Sequence, residues 1–355
     1  MMTKGIIAAL GAAITFGIST PFAKLLVGDV PPVLLAGLLY LGAALGLGLW
    51  GAVRRVGSSD NTITGVRIQR ADVPWLAGAV LFGGIAGPML LMLGLSTTTG
   101  SAAALLLNLE GVFTALIAWM VFKEHTDRRI MLGMLLIVAA GMLLGAREGH
   151  GAVQNLIGPL AVTAACLCWA IDNNFTRKIS ACDAVTLANI KGVVAGSVNT
   201  SIAVMFLGTP LPSLQLIGGA LIVGAAGYGI SLVLFIVALR HLGTARTGAY
   251  FSSATFIGAA TAVLLLHERQ NLMFWVAALL IGIGLWLHLS ERHAHAHTHD
   301  PGAHDHWHDH DELHQHEHAH DFSWDSRKAH SHSHLHKHLT HTHAHFPDMH
   351  HQHSH

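Results

Sequence analysis

The sequence predicts an all-α membrane protein: ten transmembrane helices as two inverted five-helix repeats, followed by a disordered tail. Three observations carry that prediction. Apolar residues make up 52% of the chain and charged residues only 11%. Segments of the first half recur in the second half. The composition then changes abruptly at Glu291, after which lie 24 of the chain's 29 histidines.

The apolar runs each approach the roughly 20 residues that an α-helix needs to cross a hydrocarbon layer. The expected spans are 4–27, 33–53, 73–95, 98–122, 128–146, 156–180, 184–208, 213–240, 244–267 and 271–290. Tight connections such as Gly28-Asp29-Val30-Pro31-Pro32 and Gly208-Thr209-Pro210-Leu211-Pro212 end helices where water can satisfy the freed backbone groups. The longer connection from Arg54 to Ala71 is polar and basic. Lys4 leads straight into the first apolar run without a small-residue cleavage site, so this start reads as an uncleaved span.

Cations fix the expected orientation. Lys4, Arg54, Arg55, Arg67, Arg70, Lys123, Arg128, Arg129, Arg177, Lys178, Arg240 and Arg246 fall on one side, against Arg147 and Arg269 on the other. By the positive-inside rule both termini are then cytoplasmic. A net charge of zero gives no field for nucleic acid, and the chain has no G-x-x-x-x-G-K-[ST] run for direct ATP drive. It shows no clustered nucleophile and no cofactor fingerprint, so no enzyme is expected and no cofactor is required. Cys166, Cys168 and Cys182 give no disulfide framework and read as small helix filler.

Phe16-Gly17-Ile18-Ser19-Thr20-Pro21-Phe22-Ala23-Lys24 lines up with Trp169-Ala170-Ile171-Asp172-Asn173-Asn174-Phe175-Thr176-Arg177, and the stretch ending at Glu124 with that ending at Glu268. Five helices per unit is an odd number, so the second copy must sit upside down, with a substrate site expected near the midplane. The run Leu109-Glu110-Gly111-Val112-Phe113-Thr114 through Trp119 and Lys123-Glu124, then Gly133 and Gly141, resembles the EamA-type module of the drug/metabolite transporter superfamily. Ala254 through Glu268, Gly282 and Gly284 form a second, weaker copy. The resemblance implies modules at 4–146 and 156–290 and a bacterial inner-membrane carrier. Such carriers move small metabolites, usually outward, by alternating access. The family often carries Pro after the Glu of the fourth helix; here Gly111 stands instead.

Charges inside apolar runs are the candidate path residues, because one at the bilayer centre costs about 2.5–3.5 kcal/mol or more. Glu110 lies near the middle of its span with Asn108 two positions earlier. It is either a proton- or cation-exchanging group or a helix–helix hydrogen bond. Asp172 and Lys191 lie at similar depth on consecutive antiparallel spans and are expected to pair, as a static brace or as a gate. Asn173 and Asn174 add amides able to line a polar cavity. Lys24 is expected to snorkel outward, Glu124 and Glu268 to be interfacial loop charges, and Trp119, Trp169, Trp275 and Trp286 to be packing or belt residues. Gly42-x-x-x-Gly46, Gly141-x-x-x-Gly145 and Gly192-x-x-x-Gly196 are expected to serve internal helix crossings.

Residues 291–355 alternate histidine with small or polar residues. Expected metal ligands are His293, His295, His297, His299, His304, His306, His308, His310, His314, His316, His318 and His320, for Zn, Ni, Co or Cu. Composition predicts disorder there. Metal binding, proton buffering and contact with anionic lipid are all open to such a tail. The expected function is a secondary-active exporter of a small metabolite, metal ion or metal complex, with possible proton coupling and a metal-binding or sensing tail. The alternative is a membrane-anchored metal buffer or sensor.

Overall fold

Side-chain pattern and backbone agree over nearly all of the apolar region. The computed structural model describes residues 2–57, 68–122, 128–148, 156–289, 294–299, 303–308, 330–335 and 339–344. Most of the basic Arg54–Ala71 connection, Glu124, His293, His310, His314, His316, His318 and His320 lie outside the described residues.

Among the described residues the helices gather into ten rods. They are α1 (Met2–Leu26), α2 (Pro32–Gly57), α3 (Arg70–Thr97), α4 (Gly100–Leu106 and Leu109–Phe122), α5 (Arg128–Glu148) and α6 (Ile157–Lys178). The rest are α7 (Ala184–Ser201, continued by Ile202–Phe206), α8 (Leu214–Gly243), α9 (Thr247–Leu265) and α10 (Leu272–Leu289). Six rods are long and apolar enough to cross a membrane, and parts of α5 and α10 are apolar but shorter. The outward faces carry large apolar groups such as Ile7, Leu49, Leu135, Leu160, Leu264 and Trp286, as the surface of a multi-pass membrane protein requires. Trp119 and Trp275 also face outward.

The packing is reciprocal between the halves. α2 lies on α7, α4 on α9 and α5 on α10, so each of these rods meets its own counterpart. The remaining contacts come in matched pairs: α1 on α8 as α6 on α3, and α1 on α9 as α6 on α4. Even a local irregularity recurs. α3 widens into a π-helix at Val80–Ala86, and α8 does so at Gly224–Ile230.

Glycine sets how closely these rods approach. A Cβ on Gly42 would strike the backbone of Leu221, one on Gly224 the backbone of Leu39, and one on Gly196 the amide of Leu41. The Gly42 and Gly192 motifs therefore serve internal crossings of α2 with α8 and α7, and Gly141 sits against Leu106 and Leu109.

Four segments of the tail are extended. β1 (Ala294–His299) pairs antiparallel with β4 (Leu339–Ala344), and β2 (Ala303–His308) pairs antiparallel with β3 (His330–Leu335). A two-stranded ladder needs only extended segments whose backbone N–H and C=O groups can pair. The register sets His295 opposite His343, His297 opposite His341, His304 opposite His334 and His306 opposite His332.

The crossings make a paired prediction. Gly42→Ala should destabilise the detergent-solubilised protein by about 1–3 kcal/mol, because the new methyl meets backbone that cannot step aside. Gly51→Ala, where nothing lies within 4 Å, should be neutral or stabilise by up to about 1 kcal/mol. Thermal unfolding of the two variants compares them directly.

Candidate functional site

The π-helix in α3 is the local feature around which the site is built. A π turn shifts the backbone bonding pattern and leaves carbonyls needing partners inside the bundle. Gly83 O accepts the Tyr40 hydroxyl at 2.7 Å and the Trp169 indole Nε1 at 3.0 Å, and Gly84 O accepts Asn199 Nδ2 at 3.2 Å. Three side chains from α2, α6 and α7 are thereby fixed on one turn of α3.

The same turn makes room for a charge. The Asp172 carboxylate lies so close to Gly83 that any Cβ there would collide with it. Lys191 Nζ donates to both Asp172 oxygens at 2.7 Å, and Thr176 Oγ1 donates to Oδ1 at 2.8 Å. Lys191 is only 1% exposed, so the expected pair forms and is buried. The counterpart of this contact in the other half is neutral: Ser19, which aligns with Asp172, lies against Gly227 in the π-helix of α8. The ion pair is thus an addition to one half of an otherwise matched frame.

Glu110 follows a break in α4. Leu107 and Asn108 form a turn, and Glu110 N and Gly111 N make shortened bonds to Leu107 O at 3.1 Å and Asn108 O at 3.2 Å. The break lies before Glu110, and the helix from Leu109 runs on through Gly111. Asn173 Nδ2 donates to Glu110 Oε1 at 2.7 Å, linking α6 to α4.

A small cavity opens where these elements meet. Its polar wall is Glu110, Asp172, Asn173 and Ser231; its apolar wall includes Phe16, Tyr40, Trp169, Tyr228, Phe235 and Phe251. The rings are in mutual contact. Phe16 stands edge-on to Trp169 at 5.9 Å and to Tyr228 at 5.7 Å, and Phe235 meets Phe251 at 4.9 Å.

Of the expected path residues, Glu110, Asp172 and Asn173 line this cavity and Lys191 sits behind Asp172. Asn108 and Asn174 do not. Asn108 Nδ2 turns to Thr255 Oγ1 of α9 at 2.7 Å, and Asn174 Nδ2 turns to Ala170 O of its own helix at 2.8 Å. Helical rotation explains the split: Asn173 and Asn174 are neighbours in sequence but point about 100° apart. The sequence reading missed the ring cluster. Trp169 belongs to the cavity wall and to the π-turn, beyond its expected packing role.

Two more expectations are corrected at one end of the bundle. Lys24 does not snorkel; its Nζ donates to Leu95 O and to Thr98 O at 2.7 Å, holding the carboxyl end of α3. Glu268 is no idle loop charge. Its carboxylate accepts Gly100 N at 2.8 Å, Ser101 N at 3.0 Å and the Ser101 hydroxyl, capping the first turn of α4 from the other half. No sequence signal foretells this, since the partners lie 167 and 168 positions apart. At the opposite end Arg240 donates to Ser180 O at 2.9 Å and Cys182 O at 2.7 Å. Burial, and then the nearby Asp72 carboxylate, push the Cys182 thiol up to about 11, which leaves it protonated and inert at neutral pH.

Among the described residues no cluster of three or more His, Cys, Asp or Glu side chains could hold a metal ion. Comparison with known proteins identifies the family. A family model described as EamA-like transporter family matches residues 3–146 and again 156–290. An "uncharacterized transporter" of Methanothermobacter thermautotrophicus is 27% identical over 79% of this chain and 84% of its own length. A "probable amino-acid metabolite efflux pump" of Escherichia coli is 25% identical over 80% of this chain and 94% of its own length. A solved structure, titled only as the crystal structure of a protein, shares the fold with a TM-score of 0.60 at 19% identity, covering 79% of this chain and 94% of that one. With both halves matched by the same module, the chain belongs to the EamA-like transporter family.

Proposed function

We propose that this protein is a secondary-active exporter of a small, amino-acid-derived metabolite, working by alternating access across ten spans whose halves are inverted. The observation that carries the proposal is the cavity itself, walled by matched helices of the two halves and holding Glu110. The E. coli relative, named a probable amino-acid metabolite efflux pump, supports the substrate class. The positive-inside bias places both termini in the cytoplasm of a bacterial cell and puts the Lys24 and Glu268 contacts at the outer end.

Glu110 is the coupling group in this account. Its carboxylate is bonded to a neutral amide rather than to a cation, so it can take up a proton on one side and release it on the other. Asp172 and Lys191 neutralise each other and form a fixed wall. The Glu268 cap ties α4 of one half to the loop leading into α10 of the other, and this tie must part for the cavity to open outward.

The tail binds transition metal on the cytoplasmic side and acts as an accessory to the carrier. Support comes from the strand register, which sets His295 opposite His343 and His304 opposite His334.

Two experiments test this reading. In cells lacking the endogenous carrier, the full chain and a chain ending at Ser290 should both restore efflux of the organic solute, whereas Glu110→Gln should lower it by about a hundredfold or more. The shortened chain alone should lose binding of Zn, Ni, Co or Cu. If truncation abolishes solute efflux and leaves metal binding intact, the accessory role fails. Glu268→Ala should favour the outward-open state by about 1–3 kcal/mol, seen as at least about fivefold faster labelling by a membrane-impermeant thiol reagent at Ser231→Cys in a cysteine-free background. Unchanged labelling would remove Glu268 from the outer closure.

A further inference from the structure

We infer that the solute held in this cavity is an organic cation: an amine attached to an aromatic or apolar body and lacking a free carboxylate. The inference rests on the reading of the cavity as the transported solute's site and narrows it to a charge type.

The argument is an inventory of donors and acceptors. A carboxylate ligand needs cations or free N–H and O–H groups. The donors of this wall are mostly committed elsewhere. Tyr40 and Trp169 give their hydrogens to Gly83 O, Asn173 Nδ2 donates to Glu110 and, at 3.5 Å, to Thr114 Oγ1, and Ser231 donates to Ala12 O at 3.0 Å. Among the described residues Tyr228, on the ring wall, keeps its donor uncommitted, and it supplies a single hydroxyl. The wall contains no Lys, Arg or His among the described residues. The neighbouring ammonium, Lys191, donates to both Asp172 oxygens, and Asp172 rather than Lys191 lines the cavity.

Acceptors, by contrast, remain. In its ionised form Glu110 uses one oxygen on Asn173 and meets no cationic side chain among the described residues. Hydroxyl lone pairs of Ser231 add to it. The rest of the wall is ring surface, whose faces carry partial negative charge and attract an ammonium group. A zwitterionic amino acid could satisfy its amine here, but its carboxylate would be desolvated among rings with almost nothing to meet it, at a cost of several kcal/mol. Removing or masking that carboxylate, by decarboxylation, esterification or amidation, turns the same molecule into one that fits.

The test uses matched ligands on the full purified chain in detergent, followed by calorimetry. Phenethylamine and tryptamine should bind at least about tenfold more tightly than phenylalanine and tryptophan, and 3-phenylpropionate should be weaker still. Glu110→Gln should lower amine affinity at least about tenfold while leaving the neutral analogue 2-phenylethanol unchanged, which separates loss of charge recognition from damage to the cavity. Phenylalanine or 3-phenylpropionate binding as tightly as the amine overturns the inference, as does an amine affinity indifferent to Glu110→Gln. Counterflow in proteoliposomes distinguishes the two levels. Flux of phenylalanine without flux of phenethylamine keeps the carrier and overturns the cationic solute. Tight, Glu110-dependent amine binding without any flux keeps the cationic site and sinks the transport reading.

Discussion

An ammonium group can sit in the middle of an apolar bundle only if something meets it, and Asp172 meets Lys191 with both oxygens. Much of the site follows from that one requirement. The carboxylate needs space, which Gly83 supplies by having no side chain. Gly83 lies in a π-helix, whose carbonyl then needs donors, which Tyr40 and Trp169 supply. Those two rings, so anchored, become cavity wall. With Lys191 spent on Asp172, Glu110 is left as the carboxylate of the wall without a cationic partner.

The matched halves show how a specialised site is grown on a repeated frame. The π-helices at Val80–Ala86 and Gly224–Ile230, the reciprocal helix pairs, and the closeness of Asp172 to Gly83 and of Ser19 to Gly227 belong to the frame. Two arrangements of similar energy are what alternating access demands of such a frame. Charge breaks the match: Asp172 where the other half has Ser19, and Glu110 where the other half has neutral residues. The Glu268 cap on α4 adds a tie between the two halves.

The sequence discloses the parts of this site that carry charge in the wrong place. Glu110, Asp172 and Lys191 stand out because apolar runs tolerate so few such residues, and the depth of Asp172 and Lys191 in consecutive spans foretells their contact. Rotation about a helix axis is less legible, so Asn108 and Asn174 share the expected polar run with Asn173 and yet face away. The ring cluster is hidden because Phe, Tyr and Trp inside apolar runs carry no contrast with their neighbours. The Lys24 and Glu268 contacts are hidden because they join distant positions through backbone atoms, which have no sequence signature. In the tail, a period of two was visible, but the backbone pairing of β1 with β4 and β2 with β3 depends on partners more than twenty residues apart.

The buried pair is also where the account is most exposed to measurement. Unfolding of the solubilised protein would be followed for Asp172→Asn, Lys191→Met and the double variant, with amine binding measured on each. If the pair is a neutral wall, Asp172→Asn strands an ammonium and costs about 3–5 kcal/mol, while the double variant recovers most of that stability and still binds amine through Glu110. Additive losses in the double variant, or amine binding lost with Asp172 while Glu110 remains, would contradict the division of labour between these carboxylates.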